Sequence, residues 1–322
     1  MAITINNADE NTVAFIKQWN NPDTDFIEAR TSGSTGEPKC IRLSKADMRH
    51  SARATNARFG ITSSSILYMP LSAGYIAGKM MIVRAIEAGC ILYVEQPSLT
   101  PLAECSIPHI DLLPVVPAQI PHLLASPWLA RRVANLIIGG GAIDPLVEQA
   151  VIDAGYNAFA TYGMTETCSH VALRPLGDSY FQAMPGVSFG IDADNCLRIS
   201  SGGYSWGTIQ TNDVVDLAGP HHFIWRGRRD FVINSGGVKL YPEEIEKKLA
   251  GHIPGEFYIT STPHSRWGEA VTIVCDSASA SMTDDDILSE CRSLLSRYQV
   301  PKHIIRVNSI PHTSSGKIKR LR

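Results

Sequence analysis

The sequence predicts an α/β fold: a larger domain built on a mostly parallel sheet flanked by helices, followed by a small α+β domain. Between residues 65 and 165, short apolar runs alternate with stretches of helical periodicity, which is typical of consecutive βαβ units. Two of the apolar runs end in glycine, at 139–141 and at Gly163. In such sheets ligands bind beyond the carboxyl ends of the strands, so both turns are candidate binding segments.

The elements of the first half can be assigned in order. Residues 11–19 favour a helix and residues 41–43 a strand, after which Ser44 is suited to cap a helix that continues to Arg58. The later strands are predicted at 66–69, 90–94, 111–116, 136–138 and 159–162. The helices between them are predicted at 79–88, 117–124 and 145–154.

The second half changes in character. Residues 174–229 are richer in Gly, Ser and Asp, which predicts a β-rich portion of the larger domain. A compact charged turn at 226–230 favours a domain boundary at Asp230. The larger domain then covers 1–229 and the smaller one 231–322, the latter with a helix from Pro242, strands at 257–260 and 270–275 and a last helix from Thr283.

Composition excludes several classes of protein. Hydrophobic residues make up 44% and charged residues 19% of the chain, as in soluble globular proteins. Twenty-nine basic against thirty-one acidic residues give no sign of a nucleic-acid or polybasic membrane surface. The seven scattered cysteines favour reduced thiols over disulfides or structural zinc. With no signal peptide and no bilayer-length apolar run, we expect a cytoplasmic enzyme or binding protein.

One polar segment near the N-terminus has the chemistry of a phosphate cradle. It carries four hydroxyl groups, two glycines and a lysine, and it consists of Thr31, Ser32, Gly33, Ser34, Thr35, Gly36, Glu37, Pro38 and Lys39. Glycine lets consecutive backbone N–H groups point into one concavity, where hydroxyls and a lysine add donors. Glu37 and Pro38 separate Gly36 from the lysine, so this is not a Walker motif. Taken alone, a flexible Ser/Gly linker explains the segment equally well.

Other stretches follow in a fixed order. They are Gly139-Gly140-Gly141-Ala142, Thr161-Tyr162-Gly163-Met164-Thr165-Glu166, Thr211-Asn212-Asp213, Gly227-Arg228-Arg229-Asp230 and Thr313-Ser314-Ser315-Gly316-Lys317. Together with residues 31–39, this series resembles the ANL superfamily of adenylate-forming enzymes, which includes acyl-CoA synthetases. The Y-G-x-T-E motif matches residue for residue, whereas Asn212 stands where the T-G-D motif has glycine.

The resemblance implies a two-step reaction. A carboxylate attacks the α-phosphate of ATP to give an acyl-adenylate and pyrophosphate, and the thiol of coenzyme A then displaces AMP. Phosphate binding would fall to residues 31–36 and Lys39, and Thr165 would touch the α-phosphate. The remaining implied roles are adenine binding by Gly140, Gly141, Ala142, Thr161, Tyr162, Gly163 and Met164, ribose binding by Asp213 and Arg228, Mg²⁺ binding by Glu166, and catalysis of adenylate formation by Lys317. A small mobile C-terminal domain that turns about Asp230 is implied as well.

Two features bear on the acid substrate. The segments at 115–119 and 165–170 resemble the branch of the family that joins o-succinylbenzoate to coenzyme A in menaquinone biosynthesis. That acid has a second carboxylate, so a cation or donor is expected in the acyl pocket, with His122 as first candidate and His170 as second. Tyr75 stands near the position where the family has a histidine. Only thirty residues precede the phosphate loop, which implies a shortened N-terminal region and leaves a homo-oligomer open.

Several alternatives remain open from sequence. Glu166 would also suit a helix N-terminus with no metal, and Asp213 could close an Asx-turn after Thr211. His122 could be a surface histidine, and Lys317 could lie on a disordered tail. At the level of function, the rivals are a ligase for another aryl or fatty acid, a ligase that loads a carrier protein, and an inactive AMP- or ATP-binding regulatory protein.

Overall fold

The computed structural model describes residues 4–30, 40–276, 279, 281–312 and 318–320. Its α-helices are α1 (Glu10–Asn20), α2 (Lys45–Phe59), α3 (Ile76–Ala88), α4 (Ile120–Ala125), α5 (Pro145–Asp153), α6 (Pro242–Leu249) and α7 (Asp284–Leu294). Its strands up to the middle of the chain are β1 (Thr4–Asn6), β2 (Phe26–Arg30), β3 (Cys40–Ser44), β4 (Ile66–Met69), β5 (Ile91–Val94), β6 (Leu113–Val115), β7 (Leu136–Ile138) and β8 (Ala158–Gly163).

The later strands are β9 (His170–Pro175), β10 (Phe181–Ala183), β11 (Ser188–Ile191), β12 (Cys196–Ser200), β13 (Thr208–Leu217), β14 (His222–Arg228), β15 (Ile233–Ser235), β16 (Val238–Leu240), β17 (Phe257–His264), β18 (Gly268–Cys275) and β19 (His303–Arg306). The helix ends follow the sequence signals. The Ser44 side chain accepts hydrogen bonds from the first turn of α2, and left-handed Gly60 and Gly89 close α2 and α3.

The largest sheet has nine strands in the order β11-β12-β13-β14-β10-β9-β8-β7-β6. Strands β6, β7 and β8 are parallel, and every pairing from β8 to β11 is antiparallel. A three-stranded parallel sheet, β1-β5-β4, and the hairpin β2-β3 complete this part of the chain. The predicted α/β fold is confirmed, and the β-rich portion continues the sheet that the parallel strands begin. Strands β1, β2, β9, β15, β16 and β19 were not predicted.

A separate five-stranded sheet forms after residue 232, from β15 to β19, and it carries its own apolar core with α6 and α7. The boundary at Asp230 itself stays a prediction. The main core lies between α2, α3 and the sheets and includes the fully buried pair Met80 and Met81. No described helix has the length and apolarity needed to cross a membrane.

Candidate active site

The glycine turn after β7 lies against β8. The Gly139 N–H donates to the Val115 carbonyl at 3.0 Å, and the Thr161 hydroxyl donates to the Ile138 carbonyl at 3.2 Å. A Cβ on Gly139 would lie 2.6 Å from Thr161 Oγ1, so only glycine permits this approach. The next residues, Gly140, Gly141 and Ala142, are exposed. The structure therefore brings the predicted adenine wall and the Thr161–Gly163 segment to one edge of the sheet.

The turn that follows β8 is held by its own side chains. A Cβ on Gly163 would lie 2.3 Å from the Ser169 carbonyl oxygen, which explains the glycine. Buried Thr167 accepts from the Met164 N–H at 3.1 Å, and its hydroxyl lies 2.7 Å from the Ser169 carbonyl oxygen. Thr165 and Glu166 belong to the same single turn of 3₁₀ helix. The buried threonine fixes the turn and leaves the side chain of Glu166 in solvent.

Glu166 is suited to share a metal ion with a bound phosphate. Its side chain is exposed and makes no hydrogen bond or ion pair with any other described residue. Nor do the described residues contain a cluster of three His, Cys, Asp or Glu side chains able to hold a metal by themselves. Mg²⁺ is commonly held by one or two carboxylates together with substrate phosphates and water. A free carboxylate at the end of β8 fits that arrangement.

A hydrogen bond joins two of the predicted nucleotide residues from distant parts of the chain. The Tyr162 hydroxyl donates to Asp213 Oδ2 at 2.7 Å, although three strands separate β8 from β13 in the sheet order. The sheet is therefore strongly curled here. Burial and the neighbouring charge of Asp213 raise the pKa of Tyr162 well above its ordinary value, so this hydroxyl stays a donor at neutral pH. The Tyr162 ring packs edge-to-face on Phe181 and Phe223.

Asp213 also accepts a hydrogen bond from Trp225 Nε1 at 3.1 Å, on its other oxygen. Its own N–H donates to the Thr211 hydroxyl at 3.1 Å, a turn closed by the threonine side chain in which the Asp213 carboxylate takes no part. A carboxylate offers about four lone-pair sites, so Asp213 keeps one acceptor position on each oxygen. The carboxylate is thus fixed in orientation and still able to accept two further donors, as a ribose diol would supply.

Arg228 pairs with Asp213 in the register of β13 and β14. Its guanidinium donates to Asp230 at 2.6 Å, while its buried Nε has no hydrogen-bond partner. Burial alone would lower the pKa of Arg228, but Asp230 and Asp213 raise it. Asn212, in the position where the family has glycine, donates to Asp230 at 3.3 Å and accepts from Arg229 at 3.3 Å. Asp230 and Arg229, at the predicted hinge, are therefore hydrogen-bonded to Asn212 on β13.

The predicted acyl-site residues lie in different settings. Tyr75 occupies the N-cap position of α3, and the residue is 52% exposed. His122 lies half-buried on α4. Gln119, in the turn before it, is buried and donates to the carbonyls of Pro70 and Ser98 at 3.1 and 2.8 Å. Gln119 thereby ties the start of α4 to the segment after β4.

His170 is buried, and both its ring nitrogens have protein partners. Nε2 lies 3.2 Å from the Thr55 hydroxyl and Nδ1 lies 3.4 Å from the Ser169 hydroxyl. Burial, together with the charge of Arg84, lowers its pKa well below the ordinary value, so the imidazole is neutral. The cation of this cluster is Arg84, which is 2% exposed and donates to Ser169 Oγ at 2.7 Å.

Arg84 has no carboxylate partner among the described residues, and its Nε lacks a hydrogen-bond partner. Burial lowers the pKa of the guanidinium to about 10, so it remains charged at neutral pH. Sequence reasoning missed it because it lies within an apolar helical run, where the pattern predicts only a core helix. Trp225 and Thr167 were missed as well, since nothing in their sequence neighbourhood indicates the atoms that they meet.

Two predicted segments lie outside the described residues. They are the phosphate loop, with Thr31, Ser32, Gly33, Ser34, Thr35, Gly36 and Lys39, and the terminal loop with Lys317.

Comparison with known proteins identifies the family. Residues 12–193 match the model of a family described as AMP-binding enzyme. A 2-succinylbenzoate–CoA ligase from Listeria monocytogenes is 26% identical over 318 residues, covering 90% of this chain and 68% of the relative.

Two solved structures share the fold. An acyl-CoA synthetase (AMP-forming)/AMP-acid ligase II-like protein from Dyadobacter fermentans aligns with a TM-score of 0.64 and 31% identity, over 96% of this chain and 91% of that one. An o-succinylbenzoate–CoA synthetase from Bacillus subtilis, in complex with ATP and magnesium, aligns with a TM-score of 0.80 and 20% identity, over 91% of this chain and 68% of that one. The family model covers more than half of the chain, and the Dyadobacter protein is matched over most of its length. The chain therefore belongs to the AMP-binding enzyme family.

Proposed function

We propose that this protein is an ATP-dependent carboxylate–CoA ligase that acts on o-succinylbenzoate. The observation that most supports ATP binding is the Tyr162–Asp213 hydrogen bond, at the sheet edge where the glycine turn and Glu166 also lie. Family membership and the 2-succinylbenzoate–CoA ligase relative support the reaction type. The free thiols of all seven cysteines fit a reducing cytoplasm, which we propose as its location.

In the first step, an oxygen of the acid attacks the α-phosphorus of ATP, and the bond to the β-phosphate oxygen breaks to release pyrophosphate. Asp213 would hold the ribose hydroxyls with its two remaining acceptor positions, and Arg228 would approach the ribose from β14. A Mg²⁺ ion held by Glu166 would neutralise phosphate charge when bound. Lys317 would place a cation between the two anionic reactants, where negative charge accumulates. In the second step, the sulfur of coenzyme A attacks the acyl carbonyl and AMP leaves.

Arg84 supports an acid with a second carboxylate. A buried guanidinium without a counter-charge is costly, and an incoming carboxylate would supply the missing charge. Ser169 and His170 connect Arg84 to the turn that carries Glu166, so the cation lies near the nucleotide edge in space although it is distant in sequence. We propose that Arg84 binds the ring carboxylate, whereas His170, neutral and already partnered, positions Ser169.

The test is product formation from ATP, Mg²⁺ and coenzyme A with a panel of acids, followed by mass spectrometry. The panel contains o-succinylbenzoate, benzoate, a medium-chain fatty acid and β-benzoylpropionate, which has the same skeleton without the ring carboxylate. We expect a CoA thioester with o-succinylbenzoate, and a Lys317→Ala variant at least 100-fold slower in adenylate formation. A better monocarboxylate substrate would overturn the acid assignment. If neither wild type nor Lys317→Ala forms product with any acid, the result would favour a nucleotide-binding regulatory protein.

A further inference from the structure

The last described residue, Arg320, is a buried cation in a well-formed ion cluster. Its side chain is 10% exposed and makes a two-point contact with the Glu246 carboxylate on α6, one hydrogen bond of which measures 2.7 Å. It also donates to the Ile259 carbonyl at 2.9 Å. Bidentate pairs of this kind fix geometry more strongly than single contacts. These buried, two-point contacts hold this part of the chain in place, unlike the contacts of a solvated surface tail.

The residues next to Arg320 are fixed as well. Ile318 packs on Tyr258, Val274 and Ile310, and it forms a β-bridge with His312. The Lys319 N–H donates to the Pro311 carbonyl at 2.8 Å. These contacts fix the chain just before residue 313 and just after residue 317. Arg320 lies three residues beyond Lys317, so the two α-carbons are at most about 10 Å apart.

The cluster reaches the strand that carries Arg228. Glu243, on the first turn of α6, lies 4.0 Å from the Arg320 guanidinium, and its side chain is 13% exposed. A Cβ on Gly227 would lie 2.4 Å from Glu243 Oε2, and Gly227 has a φ of +154°, so glycine is required for this approach. One guanidinium therefore faces two carboxylates. Glu246 takes the direct contacts, and burial raises the pKa of Glu243 to about 7.

We propose that Arg320 is a positioning residue for Lys317, and that its contacts with Glu246 and the Ile259 carbonyl anchor the chain directly after the lysine. The inference rests on the proposed function, in which Lys317 acts during adenylate formation. A lysine on a free tail would lose backbone and side-chain entropy each time it entered the site. Arg320 removes part of that cost by fixing the chain three residues away.

The test separates the two half-reactions. Arg320→Met should lower the rate of acid-dependent pyrophosphate release about 10- to 100-fold, because small misplacements of a catalytic group have effects of this size. Thioester formation from supplied acyl-adenylate should stay within about 3-fold of wild type, and the Lys317→Ala/Arg320→Met double variant should be no slower than Lys317→Ala alone. Lys319→Met is the matched control, since it removes a neighbouring exposed cation, and it should behave as wild type. An Arg320→Met variant with normal adenylate formation, or equal losses in both half-reactions, overturns the proposal.

Hydrogen exchange distinguishes failure of this inference from failure of the proposed function. Without any substrate, the backbone amide of residue 319 should exchange at least about 10-fold faster in Arg320→Met than in wild type or in Lys319→Met. The reason is that its hydrogen bond to the Pro311 carbonyl loses the neighbouring Arg320 contacts. Unchanged exchange overturns the positioning role whatever the activity. If exchange is faster but the protein adenylates no acid, Arg320 does anchor the chain near residue 319. The assigned reaction is then overturned, and so is the proposal that Arg320 positions Lys317 for it.

Discussion

Replacing Arg84 with methionine should make the protein more stable and a poorer ligase for a dicarboxylic acid. The guanidinium is 2% exposed and has no carboxylate partner among the described residues. Burial lowers its pKa from the ordinary 12.5 to about 10, which corresponds to about 3 kcal/mol of unfavourable desolvation. The charge is present in both folded and unfolded chains at pH 7, so this cost applies in full at neutral pH. Methionine follows the arginine side chain only as far as Nε and has no charge.

The expected gain in the free energy of unfolding is about 1 to 3 kcal/mol, since the lost hydrogen bond to Ser169 offsets part of the desolvation term. The same change should raise KM for o-succinylbenzoate about 10- to 100-fold, the value of one charged hydrogen-bonded contact. KM for ATP should change less than about 3-fold. Urea unfolding and steady-state pyrophosphate release measure the two effects. The control is Arg53→Met, an exposed arginine on α2 that pairs with Glu87 and should alter neither quantity.

A loss of stability in Arg84→Met together with an unchanged KM for the acid would contradict this prediction. Such a result would mean that Arg84 is a satisfied structural residue, held by Ser169 and the Met81 sulfur. A comparison with β-benzoylpropionate sharpens the test, because the variant should lose affinity for the dicarboxylate while its affinity for the monocarboxylate is unchanged or improved.

Three further changes test the nucleotide edge and its neighbour α6. Asp213→Asn should weaken ATP binding at least about 10-fold in titration calorimetry, because the amide offers fewer acceptors to the ribose and to Tyr162 and Trp225; unaltered affinity would remove Asp213 from the ribose site. Glu166→Gln should raise the Mg²⁺ concentration for half-maximal activity about 10-fold, while unfolding stays within about 0.5 kcal/mol of wild type, since the side chain is exposed. Glu243→Gln should remove a pH dependence: the raised pKa of about 7 makes the wild type lose up to about 3 kcal/mol as pH rises from 5 to 8, and parallel urea-unfolding profiles for the two proteins would refute this.

Local signals in the sequence were sufficient to predict most elements, and they point to the sheet edge where the candidate site lies. Ser44, Gly60 and Gly89 mark helix ends through capping chemistry that depends on only a few neighbouring residues. The turns after β7 and β8 were predicted from apolar runs that end in glycine. Strands β1, β2, β9, β15, β16 and β19 were missed, because each is a short stretch that becomes a strand only through pairing with another part of the chain.

Long-range pairings could not be predicted in the same way. Tyr162 and Asp213 are 51 residues apart, and their hydrogen bond depends on the curl of a nine-stranded sheet that no local pattern reports. Trp225 meets Asp213 for the same reason. The family resemblance named Asp213 and Arg228 separately, but the contacts that orient them, and the link from Asn212 to Asp230, come from tertiary structure alone.

Acid-dependent exchange of labelled pyrophosphate into ATP, in the absence of coenzyme A, shows whether this protein forms an acyl-adenylate. Exchange requires that an acyl-adenylate forms reversibly, so it reports the first step by itself. We expect exchange with o-succinylbenzoate that falls at least about 100-fold in Lys317→Ala. No exchange with any carboxylic acid, in a folded protein that still binds ATP, would contradict it.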